Sequence, residues 1–216
     1  MKRKASYSHV IWDWNGTLFN DVGWCVRVMD KMLAERNIRT LDNIEHYHRV
    51  FCFPIIDYYK NAGFDFTAQS FEELAEEFIS HYHAEKSGGC KLHDNTEHVL
   101  KNLHDNKITQ VILSASEINN LLLQISEFDI SCYFDEILGL SDVYAKSKID
   151  IGLDYISRKN VSNALLIGDT EHDLEVANAL GVDCLLISNG HQSKEKLLSL
   201  KVPVADDILQ VTEYIC

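Results

Sequence analysis

The spacing of hydrophobic residues changes character twice along the chain. Residues 10–12 form a short apolar run that ends at Asp13 and Gly16, a pattern typical of a buried strand followed by a turn. Between residues 20 and 86 apolar residues recur every three or four positions, as on one face of a helix. From about residue 90 onward, short apolar runs alternate with helical stretches. This alternation favours a parallel sheet with helical crossovers.

The middle of the chain is predicted to be a series of helices. The start signals are, in chain order, Asn20 or Asp21 as the first cap, Thr40 as the second, Pro54 in the first turn of a helix over 55–62, and Ser70. The run Ser87-Gly88-Gly89 ends this block. No convincing strand is expected within it, so we interpret it as a helical insertion.

The remaining pattern completes the sheet. Strands are predicted over 108–114, 136–139, 164–167 and 184–188, with helices around Val99–Leu103 and over 117–127, 149–158 and 173–180. The predicted fold class is therefore α/β, with a Rossmann-like parallel sheet core. Residues 1–19 and 87–216 are assigned to the core domain, and residues 20–86 to an inserted α-helical domain.

Composition and charge narrow the classes of function. The 216 residues carry a formal net charge of −13, which argues against a nucleic-acid partner because phosphate backbones require clustered cations. We expect no membrane span and no secretory signal, since no apolar run is long enough and the one after Lys2-Arg3-Lys4 stops at Asp13. Six scattered cysteines without a CxxC pair indicate reduced thiols and a cytoplasmic location. A monomer or a homodimer is expected.

Several polar residues lie directly after predicted strands. Asp13 ends the first strand, Ser114 ends the strand over 108–114, and Asp169 comes after the strand over 164–167. The carboxyl ends of parallel strands meet at one edge, where open α/β sheets bind ligands. Asp173 lies four residues after Asp169 and would face the same edge. Carboxylates that converge there repel one another unless a cation is present, and hard oxygen ligands favour Mg²⁺.

These stretches together resemble the haloacid dehalogenase (HAD) superfamily of hydrolases. The resemblance rests on Asp13-Trp14-Asn15-Gly16-Thr17-Leu18, on Ser114, on a lysine before the 149–158 helix, and on Gly168-Asp169 with Asp173 beyond three intervening residues. The helical insertion is similar to the small α-helical cap of the phosphoglycolate-phosphatase-like members. Its matching segments are Arg49-Val50-Phe51, Phe53-Pro54 and Asp57-Tyr58-Tyr59. The resemblance implies a HAD-like core and a helical cap.

The resemblance also assigns roles to individual residues. Asp13 would be the nucleophile and would form an aspartyl-phosphate. Mg²⁺ would be held by the carboxylates of Asp13, Asp169 and Asp173 and by the backbone carbonyl of Asn15.

Other residues would hold the phosphoryl group. Substrate binding is expected from Gly16, Thr17, Ser114, Ala115 and a lysine. We favour Lys148, because Ser147-Lys148 resembles the Ser-Lys pair of close relatives, and Lys146 is the alternative.

Asn15 departs from the family pattern, which places a second aspartate at this position to protonate the leaving group. An amide cannot shuttle a proton at neutral pH, and losing such a group typically costs about 10²–10⁴ in rate. Three explanations stay open: a substrate with a good leaving group such as an acyl phosphate, a substitute such as His172 or a cap residue, or a protein that binds phosphate and scarcely turns it over. Deamidation of Asn15-Gly16 is a weaker fourth.

The leading hypothesis is a Mg²⁺-dependent phosphatase acting on a small phosphorylated metabolite. Phosphoglycolate is suggested by the resemblance alone. Arg49 could clamp a substrate carboxylate, although a solvated helix arginine is the simpler interpretation. The alternatives are a catalytically weak phosphate-binding or regulatory protein, and a haloacid dehalogenase that needs no metal. The pair Asp169 and Asp173 argues against the dehalogenase.

Overall fold

A six-stranded parallel sheet forms the centre of the protein. The computed structural model describes residues 7–84, 89–141 and 147–215. The strands are β1 (His9–Trp12), β2 (Phe19–Asn20), β3 (Lys91–Leu92), β4 (Thr109–Glu117), β5 (Glu136–Leu140), β6 (Ala164–Gly168), β7 (Asp183–Ile187) and β8 (Val204–Ala205). The order in the sheet is β5-β4-β1-β6-β7-β8. Strands β2 and β3 form a separate antiparallel ribbon.

Helices cover the sheet and build the insertion. They are α1 (Val22–Glu35), α2 (Ile44–Val50), α3 (Ile55–Ala62), α4 (Phe71–Ala84), α5 (Thr96–Asp105), α6 (Ile118–Ile125), α7 (Lys148–Lys159), α8 (Glu171–Leu180), α9 (Lys194–Ser199) and α10 (Val211–Ile215). None of the helices within the described residues is long and apolar enough to cross a membrane.

Strand β1 lies in the middle of the sheet and is buried on both faces. It pairs in parallel with β4 on one side and β6 on the other. Successive side chains of a strand point to opposite faces. Val10 and Trp12 accordingly belong to one hydrophobic cluster and Ile11 to the other. Burial on both faces explains why the sequence here is a continuous apolar run rather than an alternating one.

The helical insertion has a hydrophobic cluster of its own. Met29 and Leu33 from α1, Tyr47 from α2, Tyr59 from α3 and Leu74 from α4 are all at most 3% exposed and pack together. The predicted fold class is therefore confirmed, including the helical cap inserted after the first strand. The domain limits at residues 19/20 and 86/87 stay predictions, and residues 85–88 lie outside the described part of the chain.

One predicted helix start is wrong by three residues, while α3 has the predicted bounds. Helix α2 is capped by Asn43, whose side chain accepts a hydrogen bond from the His46 N–H at 2.8 Å. Thr40 lies before the helix because the chain there is held by the Leu41 N–H, which donates to Asp30 Oδ1. Pro54 precedes the first turn of α3 in an extended conformation.

Other boundaries agree with prediction or differ by short steps. Ser70 opens α4 as predicted, since its Oγ accepts from the Glu73 N–H at 3.2 Å. The two-residue strands β2, β3 and β8 are absent from the prediction, because two residues are too few to establish an alternating pattern. Strand β4 continues past Ser114 to Glu117 through an irregular register.

Candidate active site

Three carboxylates meet at the carboxyl edge of the sheet. Asp13 comes directly after β1, and its N–H donates to Ile167 O of β6 at 2.8 Å. Asp169 comes directly after β6, and Asp173 lies in the first turn of α8. All three side chains are buried, and each offers an oxygen within 4.8 Å of the other two. The structure therefore brings together the acidic residues that the sequence analysis selected.

Asp173 is oriented by the turn that leads into α8. Its Oδ2 accepts hydrogen bonds from the N–H groups of Asp169 and Thr170, both at 3.1 Å, and from Thr170 Oγ1 at 2.8 Å. One carboxylate oxygen is thus used to cap the helix, as in a capping box. The other oxygen, Oδ1, is left to face the cluster.

Lys148 connects two of the carboxylates. Its Nζ lies 2.6 Å from Asp13 Oδ1 and 2.7 Å from Asp173 Oδ1, and its side chain is only 4% exposed. Ser147 and Asp150 form a capping box that begins α7 at Lys148 and so directs this lysine to the sheet edge. The choice of Lys148 agrees with this geometry, whereas Lys146 lies outside the described residues.

Asp169 sits in a tight backbone cradle. Its Oδ2 accepts from the His191 N–H at 2.6 Å, and its Oδ1 lies 3.1 Å from Thr17 Oγ1. A Cβ at Gly16 or at Gly190 would collide with this carboxylate, and Gly16 also has a positive φ of 74°. Both glycines therefore allow the backbone to approach Asp169 closely.

The electrostatics of the cluster are those of an anionic site. Burial raises the pKa of Asp13 to about 6, against the opposing effect of Lys148, and burial raises the pKa of Asp169 to about 8. For Asp173 burial is outweighed by Lys148, so that its pKa is lowered. If all three carboxylates ionise, one ammonium leaves the cluster with a net charge of −2. A buried set of hard oxygen donors with this charge fits a divalent cation such as Mg²⁺.

We expect the stability of the metal-free protein to fall as pH rises from 6 to 8. Asp169 has a higher pKa folded than unfolded, so its contribution is present below pH 4 and is lost as pH rises towards 8. His191, with a pKa raised to about 9, acts in the same direction. Since each such group changes stability by at most about 1.4 kcal/mol per pH unit, the two groups together lower it by up to about 5 kcal/mol over these two units, and Tm in EDTA should drop by about 10 °C.

Mg²⁺ should reverse this drop, because it stabilises the ionised carboxylates. Thermal unfolding at pH 6 and pH 8, with EDTA or with Mg²⁺, measures the effect. Asp169→Asn is the control, and its Tm should respond less to pH and to Mg²⁺. Equal Mg²⁺ effects on the two proteins would contradict the assignment.

The predicted phosphate-binding residues divide into two groups. Ser114 and Ala115 line the cavity beside Lys148, and Ser114 Oγ accepts from the Ser116 N–H at 3.1 Å. Gly16 and Thr17 do not line the cavity. The Gly16 N–H donates to Phe19 O at 2.8 Å, and the Thr17 N–H donates to Trp14 O at 3.3 Å.

Arg49 is not brought to the site. It is exposed on α2 and does not line the cavity. Tyr47 and Val50 occupy the buried face of this short helix, so the intervening Arg49 points elsewhere. Neither Tyr58 nor Tyr59 lines the cavity, since both are buried within the cap.

Asn15 is fixed by hydrogen bonds through both ends of its amide. Its Nδ2 donates to Asp21 Oδ2 at 2.8 Å and to the Tyr82 hydroxyl at 3.1 Å, while its Oδ1 accepts from Ser116 Oγ at 2.8 Å. The donor end of the amide therefore faces a carboxylate. A second carboxylate at position 15 would meet Asp21 in a buried site, which explains why an amide suits these neighbours.

Asp21 lies at the predicted cap position of α1, but its side chain is turned towards the cavity. It occupies the N-cap position of α1 but makes no side-chain capping bond. Its carboxylate instead lies 3.3 Å from His191 Nε2 and accepts from the Tyr82 hydroxyl at 2.6 Å. Although burial alone would raise the pKa of Asp21, His191 and the hydrogen bonds lower it.

His191 is a site residue that the sequence analysis missed. It lies four residues beyond β7. Because β7 is parallel to β6, the residues after β7, Asn189-Gly190-His191, lie at the same edge of the sheet as Asp169, and this position is the signal that could have identified His191. The Tyr47 hydroxyl from the cap lies 2.6 Å from its Nδ1. With Tyr82 on Asp21 and His48 near Gly190 O, this contact joins the cap to the carboxyl edge of the sheet.

A cavity of about 530 Å³ lies between the cap and the carboxylate cluster. The core side contributes Asp13, Ser114, Lys148, Asp169 and Asp173. The cap contributes aromatic and aliphatic side chains. A deep cavity over the carboxyl edge of a parallel sheet, closed by an inserted domain, defines an α/β enzyme with a capped active site.

Comparison with known proteins identifies the family. A model described as haloacid dehalogenase-like hydrolase matches residues 10–187, and the chain therefore belongs to the haloacid dehalogenase-like hydrolases. No curated protein sequence matches the chain. The predicted superfamily is thus confirmed, and with it the assignment of the protein as a hydrolase.

Solved structures share the whole fold. A haloacid dehalogenase-like family hydrolase from Streptococcus pneumoniae is 20% identical, with a TM-score of 0.80 over 96% of this chain and 98% of that chain. A predicted phosphatase from Clostridium acetobutylicum is 21% identical, with a TM-score of 0.77 over 97% and 98%. A predicted phosphoglycolate phosphatase from Haemophilus somnus is 16% identical, with a TM-score of 0.76 over 96% and 97%. At these identities the similarity shows the fold.

Proposed function

We propose that this hydrolase is a Mg²⁺-dependent phosphomonoesterase that acts on a small phosphorylated metabolite through an aspartyl-phosphate. The observation that carries the proposal is the buried cluster of Asp13, Asp169, Asp173 and Lys148 at the floor of the cavity. Cysteine usage supports a cytoplasmic location, and the described cysteines are free thiols.

Asp13 is the nucleophile in this proposal. It lies at the end of the central strand, lines the cavity and is held by Lys148 on one oxygen, with Thr17 Oγ1 3.2 Å from the other. A carboxylate oxygen bonds to phosphorus while the bond from phosphorus to the leaving oxygen breaks. Water then attacks the aspartyl-phosphate, which releases phosphate and restores the Asp13 carboxylate.

The surrounding residues bind and neutralise the phosphoryl group. Lys148 places its ammonium beside the attacking oxygen, where negative charge accumulates during transfer. Ser114 Oγ offers a hydroxyl in the same cavity. Mg²⁺ would be held by Asp13, Asp169, Asp173 and the Asn15 backbone carbonyl, and when bound it would neutralise charge on the carboxylates and the phosphoryl group.

Mg²⁺-dependent phosphate release tests the proposal. Wild type is assayed with acetyl phosphate, phenyl phosphate, phosphoglycolate and a sugar phosphate, in the presence of Mg²⁺ or EDTA. We expect release from at least the substrates with good leaving groups, and only with Mg²⁺. Silence on all four, with intact folded protein, would contradict the proposal.

A weak phosphate-binding or regulatory protein is the second candidate, and Asn15 favours it. Its amide cannot act as the acid and base of the reaction, and its hydrogen bonds to Asp21, Tyr82 and Ser116 hold it in place. A metal-free dehalogenase is disfavoured by the Asp169 and Asp173 carboxylates, which suit a cation.

We expect Asn15→Asp alone to lower the stability of the protein and to raise its phosphatase activity little above that of wild type. The new carboxylate would lie where Asn15 Nδ2 now donates to Asp21 Oδ2, so a half-buried carboxylate would face the buried one of Asp21. A loss of about 1–3 kcal/mol in unfolding free energy at pH 8 is expected, measured by urea denaturation. Unchanged stability would contradict this account of the amide.

The paired variant Asn15→Asp with Asp21→Asn is the matched control. It restores one amide facing one carboxylate, with the roles exchanged. Because Asp21→Asn also removes the anionic partner of His191, the comparison includes the Asp21→Asn single variant. Asn15→Asp should cost less stability in the Asp21→Asn background than in wild type, and kcat of the paired variant on sugar phosphate should rise by about 10²-fold relative to wild type. If Asn15→Asp costs as much stability in the Asp21→Asn background as in wild type, the Asn15–Asp21 contact does not determine stability, and an unchanged kcat on sugar phosphate would show that it does not limit turnover.

A further inference from the structure

The cap side of the cavity is lined mainly by aromatic and aliphatic side chains, together with Asp21, Cys25 and His83. Phe51 and Phe53 come from the segment between α2 and α3, while Phe78, Ile79 and Tyr82 come from α4. Ile79 is 52% exposed, although it is a large hydrophobic residue. We use the name aromatic wall for Phe51, Phe53, Phe78 and Tyr82.

Two rings of the aromatic wall pack against histidines next to the carboxylate cluster. The Phe53 ring stacks on His172 with ring centroids 5.2 Å apart, and His172 precedes Asp173. Phe51 stacks on His191 at 5.4 Å. The leaving group of a phosphoryl substrate bound at Asp13 would therefore contact these rings.

The cavity offers a poor environment for a carboxylated leaving group. Among the described residues that line it, Lys148 is the only lysine or arginine, and it already pairs with Asp13 and Asp173, while the His191 imidazole pairs with Asp21 at 3.3 Å. Glu117 adds a negative charge, since the N–H groups of Asn119 and Asn120 hold its carboxylate at 3.0 Å and lower its pKa. A carboxylate entering here would lose water without gaining an unpaired lysine or arginine.

Asn15 gives independent support for an aromatic leaving group. Phenols have pKa values of about 10, as in tyrosine, whereas an alkyl alkoxide resembles hydroxide, whose parent water has a pKa of about 15.7. A phenolate can therefore leave without the proton that an aspartate at position 15 would supply. The cavity volume of about 530 Å³ also accommodates a ring.

We propose that the substrate is an aryl phosphomonoester with an uncharged ring, selected by the aromatic wall of the cap. This inference rests on the proposed phosphatase function. In the reaction Asp13 displaces a phenolate from phosphorus, the phenolate takes its proton from water, and a second water hydrolyses the aspartyl-phosphate. Phosphoglycolate, which carries a carboxylate and an alkyl leaving group, is expected to be a poor substrate.

Binding of two matched phosphonates separates ring recognition from turnover. The probes are phenylphosphonate and 4-carboxyphenylphosphonate, titrated by calorimetry into wild type with Mg²⁺. We expect phenylphosphonate to bind at least about tenfold more tightly. Phe53→Ala should weaken phenylphosphonate by about tenfold and change the carboxylated probe less. Phe66 packs against the hydrophobic cluster of the cap but does not line the cavity, so Phe66→Ala should leave both affinities unchanged.

The turnover of phenyl phosphate, 4-carboxyphenyl phosphate and acetyl phosphate distinguishes the two possible failures. If all three are hydrolysed and the carboxylated ester or probe is preferred, the inference of an uncharged ring is wrong and the phosphatase function stands. If phenylphosphonate is preferred but no ester is hydrolysed, the cavity recognises rings and the phosphatase function fails, together with aryl ester hydrolysis. A Phe53→Ala variant that keeps the wild-type preference would also overturn selection by the aromatic wall.

Discussion

Asp13→Asn is expected to abolish phosphate release while leaving the protein folded. An amide oxygen is a far weaker nucleophile than a carboxylate oxygen, so kcat should fall by about 10⁴-fold or more. The substitution keeps the shape of the side chain, and the amide oxygen of the variant can still accept a hydrogen bond from Lys148. Phosphate release with Mg²⁺, together with circular dichroism and Tm, measures both properties.

The control for this variant is Asp154→Asn on the exposed face of α7. Asp154 pairs with Arg158 in an exposed i, i+4 contact, so its loss should change neither kcat nor Tm appreciably. Activity that survives Asp13→Asn at the wild-type level would show that another residue is the nucleophile.

Lys148→Met is expected to reduce both stability and activity. The lysine is buried and pairs with Asp13 and Asp173, so its removal leaves two buried carboxylates without this cation. Breaking such a pair typically costs about 3–5 kcal/mol, which urea denaturation at pH 8 in EDTA would detect. Loss of an ammonium beside the attacking oxygen should lower kcat by about 10²–10³-fold.

Lys196→Met provides the matched comparison, because Lys196 pairs with Glu171 through a half-exposed side chain. Its unfolding free energy should change by less than about 1 kcal/mol. Mg²⁺ should stabilise Lys148→Met more than wild type, since the ion replaces the missing positive charge. Equal stability of the two lysine variants in EDTA would contradict the proposed role of Lys148.

The carboxylate cluster could be predicted because its position depends on local patterns. Asp13 and Asp169 each come at the end of an apolar run, and the residues just beyond parallel strands gather at one edge of the sheet. The choice of Lys148 depends on Ser147, which is indeed the cap of α7. In each case a short stretch of sequence carries the information.

The Asp21–His191 contact has no such local signal. The two residues are 170 positions apart, and Asp21 also fits the ordinary pattern of a helix cap. Tyr82 resembles any apolar position of α4, although its hydroxyl binds Asp21 and Asn15. These contacts depend on how the cap packs on the core, which periodicity does not describe.

Arg49 and Thr40 show where residue type misleads. An arginine in a cap is chemically suited to bind a carboxylate, but the buried face of α2 is set by Tyr47 and Val50. Thr40 is a good capping residue, yet Asn43 is equally good and lies where the chain turns. Tertiary packing decides between such candidates.

The most direct test of the account is to trap a phosphoryl group on Asp13. Wild type with Mg²⁺ and acetyl phosphate is quenched in acid during turnover and reduced with borohydride, which converts an aspartyl-phosphate to homoserine. Peptide mass spectrometry should then find homoserine at position 13. Wild type treated with EDTA in place of Mg²⁺ and the Asp13→Asn variant should both lack this product. Turnover without homoserine at position 13, or with the phosphoryl group on another residue such as His172, would contradict the central claim.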